Sequence, residues 1–355
     1  MLHLKIINSY GITYIFHSKF TSKPLRITVY PTFSCNLACK HCNVYKNNIY
    51  KNELTLKEWE YVMQSLNKWP GFYHFIISGG ECFLRKKITA YLLEISSNNY
   101  VVNLITNGSF LNKKLINEFE KKFNKYSTLN ISLDGFNPET HDFLRGKKGL
   151  HKRITSAIDY ITENEIKINT VIHTIITNKN LDEISDLLEW INNIDNNVSI
   201  QFYAYVPHNR NPNKYKNSKS DISNLWPTNP KKTTQVINQI ISMKLKGYPI
   251  LNSYKQLRLF KSYYQDPIKT CQSFQCGAYR NIHILPNGDV KICLHKQPIG
   301  NIKTHTLKQL WYSKQAKEMR NQIKKCNSTC KILNCNFSDN LKDNIKKFLL
   351  NYRLV

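Results

Sequence analysis

The sequence predicts an α/β protein built on a parallel sheet, followed by a cysteine-rich region. Two observations carry this. Strand-like and helix-like stretches alternate from Leu25 to Pro207, and six of the ten cysteines lie between Cys271 and Cys335. Alternation at this spacing marks βα units, because a parallel crossover needs a dozen or more residues and is usually a helix.

Strand-like runs are Leu25–Tyr30, Tyr73–Ser78, Tyr100–Thr106, Thr128–Leu133, Lys167–Ile176 and Val198–Val206, all rich in β-branched and aromatic residues. Helical patterns fall between them at 55–68, 87–98, 111–125, 150–164 and 180–193. Thr55 and Glu58 have the spacing of a capping box, and Asn180 with Glu183 suggests a second helix start of that kind. Six strands are too few to close an eight-stranded barrel, so a partial barrel or an open sheet follows. Ligands in such folds bind beyond the C-terminal ends of the strands.

Residues 208–231 are polar and unpatterned, which reads as a linker or a substrate-facing loop. Helical stretches follow near 232–246 and 254–265, and a basic amphipathic helix is expected near 339–352. The expected domains are a short extension (1–24), a barrel (25–207), a linker with bridging helices (208–265), a cysteine-rich domain (266–340) and a final helix (341–355).

Composition bounds the class. An apolar fraction of 41% with 12% aromatic residues is globular. No apolar run approaches the roughly 20 residues that span a bilayer, and Met1–Phe20 has no signal-like apolar core. A soluble cytoplasmic protein with metal-binding cysteines, not disulfides, is expected. The net charge of +27 is mostly scattered lysine interleaved with asparagine. It forms no single stripe beside a groove-reading motif, so a nucleic-acid partner is disfavoured. An acidic peptide fits the charge equally well.

Chemistry concentrates just past the first strand, where Cys35, Cys39 and Cys42 are spaced C-x3-C-x2-C. Thiolates at this density are iron–sulfur or zinc ligands. A tetrahedral zinc site wants a fourth protein ligand, and His41 supplies one only by straining a tight loop. A four-iron cluster on three cysteines keeps one iron open for chemistry.

This spacing resembles the signature of the radical S-adenosylmethionine (SAM) superfamily. The resemblance implies a partial (β/α)6 TIM-like barrel in which Cys35, Cys39 and Cys42 hold a [4Fe-4S] cluster. SAM chelates the open iron, and its one-electron cleavage yields a 5′-deoxyadenosyl radical. Further motifs follow in the family's order. Ser78, Gly79, Gly80 and Glu81 end the second strand and look like the Gly-Gly-Glu motif that contacts the SAM amino group; two glycines also admit a ligand close to the backbone. Thr106 and Asn107 end the third strand; Ser132 and Asp134 end the fourth, with His141 and Arg145 soon after. In the peptide-modifying branch, the serine and arginine help place the SAM carboxylate and ribose. Turn formation before glycine for Asn107 and Asp134, and a surface ion pair for Arg145, are the plainer readings.

Cys271, Cys276, Cys293, Cys326, Cys330 and Cys335 resemble the auxiliary-cluster extension called SPASM, or its shorter twitch form. Cys276 and Cys293 flank Gly288 as C-x11-G-x4-C across an expected hairpin. One or two auxiliary [4Fe-4S] clusters are implied, with a zinc knuckle as the alternative. Two all-cysteine clusters need eight ligands and six cysteines are present, so an open or non-cysteine position such as Asp339 is expected if there are two. Leu294 stands where sulfatase-maturing relatives carry an aspartate base, which argues against formylglycine formation. Cys82 reads as a small packing residue beneath the glycine turn.

The resemblance implies an enzyme that modifies a ribosomally made peptide by oxidative crosslinking, dehydrogenation or epimerisation. A twitch-type dehydrogenase or carbon-skeleton enzyme acting on a small molecule is the alternative, and a zinc-bearing nucleic-acid-binding protein is a remote one. The expected partners are a peptide substrate and a reductant such as flavodoxin or ferredoxin. With about 24 residues before the first strand, a separate leader-recognition protein or direct groove binding is also expected.

Overall fold

The computed structural model describes residues 23–44, 52–69, 71, 73–98, 100–194, 197–207, 225–273, 275–326, 328, 330, 333, 334, 336 and 337. The expected helix at 339–352, Cys335, Asp339 and most of 208–231 lie outside the described residues.

Six parallel strands run in order: β1 (Arg26–Val29), β2 (His74–Ile77), β3 (Val101–Thr106), β4 (Thr128–Ser132), β5 (Asn169–Ile176) and β6 (Val198–Ala204). They alternate with α1 (Leu56–Asn67), α2 (Lys86–Ser97), α3 (Lys113–Glu120), α4 (Pro138–Arg145), α5 (Leu150–Glu163) and α6 (Ile184–Asn193). Beyond them come α7 (Pro230–Leu245), α8 (Tyr254–Gln265) and α9 (Pro267–Gln272). Next are β7 (Asn281–Ile284), β8 (Asp289–Lys291), β9 (Gly300–Asn301), α10 (Leu307–Tyr312) and α11 (Lys314–Lys324).

One sheet holds all nine strands, in the order β6-β5-β4-β3-β2-β1-β7-β8-β9. The cysteine-rich region is therefore continuous with the barrel. β7 pairs parallel to β1, Arg26 opposite Asn281 through Val29 opposite Ile284, on the side away from β2. The expected hairpin forms between β7 and β8, and Gly288 adopts φ 89° in its turn.

Local chemistry explains the elements. Thr55 and Glu58 form the capping box expected of α1. α4 has no counterpart in the hydrophobic periodicity, yet Pro138 in its first turn and a left-handed Gly146 at its C-cap frame it. Asn180 does not cap a helix through its side chain, contrary to the capping-box expectation. Its buried amide donates to the carbonyls of Asp134 (2.6 Å) and Ile175 (2.8 Å), pinning β4 to β5, and α6 begins only at Ile184.

Strand alternation sorts side chains between two faces. Val102, Leu104 and Phe202 point toward the helices and are fully buried. Ile105, Ser132, His173, Ile175 and Tyr203, at the alternate positions, line the interior cavity.

Candidate active site

The loop from Pro31 to Val44 sits on the C-terminal ends of β1–β3 and is clamped from three directions. Gly80 N–H donates to the Thr32 carbonyl (3.0 Å) and Glu81 N–H to the Ser34 carbonyl (2.9 Å). Asn36 donates to Ser109 Oγ (2.8 Å) and accepts from the Asn107 side chain (3.0 Å). Lys40 N–H donates to the Leu144 carbonyl (2.9 Å), while Gly146 packs so closely that a Cβ would lie 2.8 Å from the Ala38 carbonyl oxygen.

The clamped loop turns Cys35, Cys39 and Cys42 into one cavity of about 340 Å³, which Ser78, Gly79, Gly80, Thr106, Asn107, Ser132 and Arg145 also line. Burial pushes the Cys39 thiol up to about 11 against the Arg145 charge beside it, and burial raises Cys35 as well. Donors already face the sulfurs, with Val44 N–H 3.4 Å from Cys42 Sγ and Asn107 Nδ2 3.7 Å from Cys35 Sγ. Thiols kept neutral by burial but supplied with donors and a cation ionise when a metal takes the charge.

Two of the residues singled out for cofactor binding lie behind the cavity wall. Glu81 is 1% exposed. Its carboxylate lies 2.9 and 3.0 Å from Thr106 Oγ1 and accepts from Asn107 N–H (2.8 Å) and Phe83 N–H (3.1 Å). Burial raises its carboxyl against these hydrogen bonds. Asp134, fully buried, pairs with Arg145 Nε at 2.8 Å and accepts from Ile175 N–H at 2.9 Å. Burial alone would raise its carboxyl, but Arg145 and then His41 hold it below the ordinary range. Glu81 thus ties the glycine turn to the end of β3, and Asp134 anchors Arg145, which does reach the cavity. The plainer readings, a turn-forming aspartate and a surface arginine, miss this buried ion pair.

The C-terminal cysteines form a second cluster. Cys271 lies in the last turn of α9, Cys276 precedes the turn into β7, Cys293 follows β8, and Cys326 and Cys330 follow α11. Burial pushes Cys271 and Cys276 up to about 12, and the neighbours adding to this are Cys330 and Cys276 for Cys271 and Cys330, Cys293 and Cys326 for Cys276. All nine described cysteines are free thiols. Cys335 lies outside the described residues. Asn336 beside its position accepts from Gly277 N–H (3.2 Å) and Asn281 Nδ2 (2.9 Å).

A family model described as "Radical SAM superfamily" matches residues 29–191, and the SPASM model, an iron-sulfur cluster-binding domain, matches residues 271–336. The chain carries a radical SAM domain. It also carries a SPASM domain. Among curated proteins it is 31% identical over 166 residues to the sporulation killing factor maturation protein SkfB of Bacillus subtilis, covering 47% of this chain and 39% of that one. It is 34% identical over 170 residues to an S-adenosylmethionine-dependent nucleotide dehydratase of Selenomonas ruminantium, covering 44% and 58%. The chain thus spans less than two thirds of these relatives. Among solved structures it resembles Streptococcus suis SuiB bound to its precursor peptide SuiA. That match has a TM-score of 0.62 at 17% identity over 96% of this chain and 76% of the other, a likeness of fold.

The donor set fits radical SAM chemistry. Three cysteine thiols that open into one cavity suit three corners of a four-iron cluster and leave its fourth iron open.

The structure adds residues the motif reading did not name. His173 Nε2 and Tyr203 Oη lie 3.3 Å apart, with rings 4.9 Å centre to centre, and both face the cavity. The available signal was a histidine on the inward alternation near the end of a strand. Asn334 also lines the cavity, donating to the Ala204 carbonyl (2.8 Å) and accepting its N–H (2.9 Å). Such pairing across 130 residues leaves no local trace in sequence. Cys82 is fully buried, donates to the Ile105 carbonyl (3.4 Å) and is not part of the cavity lining.

Proposed function

We propose that this protein is a radical SAM enzyme that modifies a ribosomally made peptide, with an oxidative crosslink or dehydrogenation as the favoured outcome. One observation carries the reading: the three thiols and the glycine turn face the same half-enclosed cavity at the strand ends. Bound there, a [4Fe-4S] cluster with SAM supplies one-electron cleavage of a carbon–sulfur bond. Cys35, Cys39 and Cys42 would hold the cluster, with Arg145 balancing thiolate charge. Ser78, Gly79, Gly80, Thr106, Asn107 and Ser132 would form the SAM cradle, and Glu81 and Asp134 would act by holding that cradle in place.

Cys271, Cys276, Cys293, Cys326 and Cys330, with Cys335, would hold one or two auxiliary clusters, which suit oxidation because they accept the electron left on substrate. Epimerisation needs a hydrogen-donating thiol, and the buried Cys82 is poorly placed for it. The maturation role in SkfB's name and the precursor peptide in the SuiB complex support a peptide substrate. A small-molecule substrate is the second reading, favoured by the likeness to the nucleotide dehydratase. A cytoplasmic location, where such thiols stay reduced, is proposed with it; among the described residues no helix is long and apolar enough to cross a membrane. A separate leader-recognition protein belongs to the same proposal.

The test is anaerobic reconstitution with iron and sulfide, then dithionite and SAM. Wild type should release 5′-deoxyadenosine, and Cys35→Ala, Cys39→Ala and Cys42→Ala should release none. Retained cleavage in any of the three would refute the site. Co-expression with short peptides encoded nearby, read by mass shift, tests the substrate class. Turnover of nucleotides without any peptide shift would favour the second reading.

A further inference from the structure

The face of α4 that points to solvent is unusual for a surface. Phe143 is 50% exposed there, and Phe136, just before the helix, is 37% exposed. Lys40 Nζ and Lys179 Nζ lie 5.6 and 5.9 Å from the centre of the Phe143 ring. Two ammonium groups against one aromatic ring are held by cation–π attraction and repel each other, so the arrangement favours an added anionic neighbour. Lys147 and Lys148 follow α4, and Lys152 and Arg153 lie in the first turn of α5, all exposed.

The acids nearby are Glu139, exposed in the first turn of α4, and three that are engaged within the fold. Asp142 accepts from Gly149 N–H and His151 N–H, Glu183 accepts from Asn137 N–H and Thr140, and Asp182 pairs with Lys232. Lys40, Lys147, Lys148, Lys152, Arg153 and Lys179 outnumber Glu139, Asp142 and Glu183, whose hydrogen bonds leave their charge in place, so this part of the surface is net positive beside an apolar ring.

Its position relates it to the cysteine site. Lys40 is the next residue after Cys39, and its N–H is bonded to the Leu144 carbonyl, beside Phe143. Arg145, two residues past Phe143, reaches inward to the Cys39 thiol. Phe143 is thus linked to the Cys39 site on two sides, through Lys40 and through Arg145, and electron tunnelling falls steeply with distance.

We propose that Phe143, Lys40 and Lys179 form the docking surface for an acidic one-electron-donor protein. This rests on the redox reading of the Cys35–Cys39–Cys42 site. The donor would lose one electron and that site would gain it, with no bond made or broken in the docking step. Electron-transfer encounters use small interfaces and rely on charge to speed association, as this compact basic patch would allow.

A bacterial flavodoxin is the probe. Binding of its oxidised form is measured by calorimetry, and oxidation of its hydroquinone by the cluster-loaded protein by stopped flow, each at low and high salt. Lys179→Glu should lower the low-salt association rate at least about tenfold, with high salt erasing most of the difference, whereas Phe143→Ser, which changes no charge, should weaken the complex about tenfold at both salts, mainly by faster dissociation. Dithionite, which needs no docking, should drive SAM cleavage in both variants within about twofold of wild type.

Unchanged flavodoxin kinetics in both variants would overturn the proposal. An equal fall with dithionite would overturn it too, since the residues would then act on the site itself, as would loss of precursor-peptide binding with flavodoxin binding intact. Flavodoxin binding without any SAM cleavage in wild type would instead sink the redox reading, so the two failures are distinguishable.

Discussion

Replacing Gly80 by alanine tests the clamp on the cysteine loop. The added Cβ would lie 2.2 Å from the Ser34 carbonyl oxygen and 2.5 Å from that of Phe33, where ordinary contact begins at 3.4 Å. Both obstacles are backbone, so the loop must retreat by about 1 Å. That retreat stretches the Gly80–Thr32 and Glu81–Ser34 hydrogen bonds, which cross the same gap. Overpacking of this kind costs about 1–3 kcal/mol, and two weakened hydrogen bonds add about 1 kcal/mol each. A loss of about 3–5 kcal/mol in urea unfolding is expected, together with a fall in iron retained after reconstitution and weaker SAM binding by equilibrium dialysis. Gly149→Ala is the control. Gly149 has φ 77° with nothing within 4 Å of where a methyl group would stand, so it isolates left-handed backbone strain at about 1–2 kcal/mol and should spare SAM binding. Gly80→Ala within 1 kcal/mol of wild type and with normal SAM affinity would refute the reasoning.

Three further perturbations probe the support behind the cavity. Asp134→Ala strands the buried Arg145 guanidinium and should cost about 3–5 kcal/mol in urea unfolding, so a change below 1 kcal/mol would contradict the buried pairing. His141 accepts from Asp134 N–H at 3.0 Å, and burial, then Arg145, pushes its pKa down to about 3. The unfolded chain binds a proton near 6.5, so His141 contributes stability fully above about pH 6.5 that drains away toward pH 3, at about 1.4 kcal/mol per unit. His141→Gln should flatten stability between pH 6.5 and 4.5 relative to wild type, and parallel profiles would show the histidine is not held neutral. Asn334→Ala removes both bonds to Ala204 and should cost about 1–3 kcal/mol, with faster amide exchange at residues 202–206; unaltered exchange there would argue against the tie.

The βα alternation was legible because each strand carries its own β-branched run, and each flanking helix its own stripe. The cysteine spacing and glycine turn were legible for a similar reason: each is a local constellation whose chemistry is stated within a few residues. What escaped depends on distant partners. Nothing near Glu81 reveals that its carboxylate turns away to cap the end of β3, a choice made by Thr106 and the Asn107 amide 25 and 26 residues on. Asn180 has the spacing of a capping residue, but the stronger demand comes from two strand-end carbonyls left without partners. α4 was hidden because its eight residues are too short for a clear apolar stripe, although Pro138 and Gly146 marked its ends.

The parallel seam between β1 and β7 has a consequence for engineering. Many multidomain enzymes can be recombined by cutting at a flexible joint, but here the four-residue ladder from Arg26–Asn281 to Val29–Ile284 crosses the boundary. A truncation before residue 281 would bare a hydrophobic strand edge, the kind that recruits other chains into aggregates. A chimera made with a relative's C-terminal lobe must therefore import a β7 that matches β1 in length and register, or it will lose the barrel along with the graft.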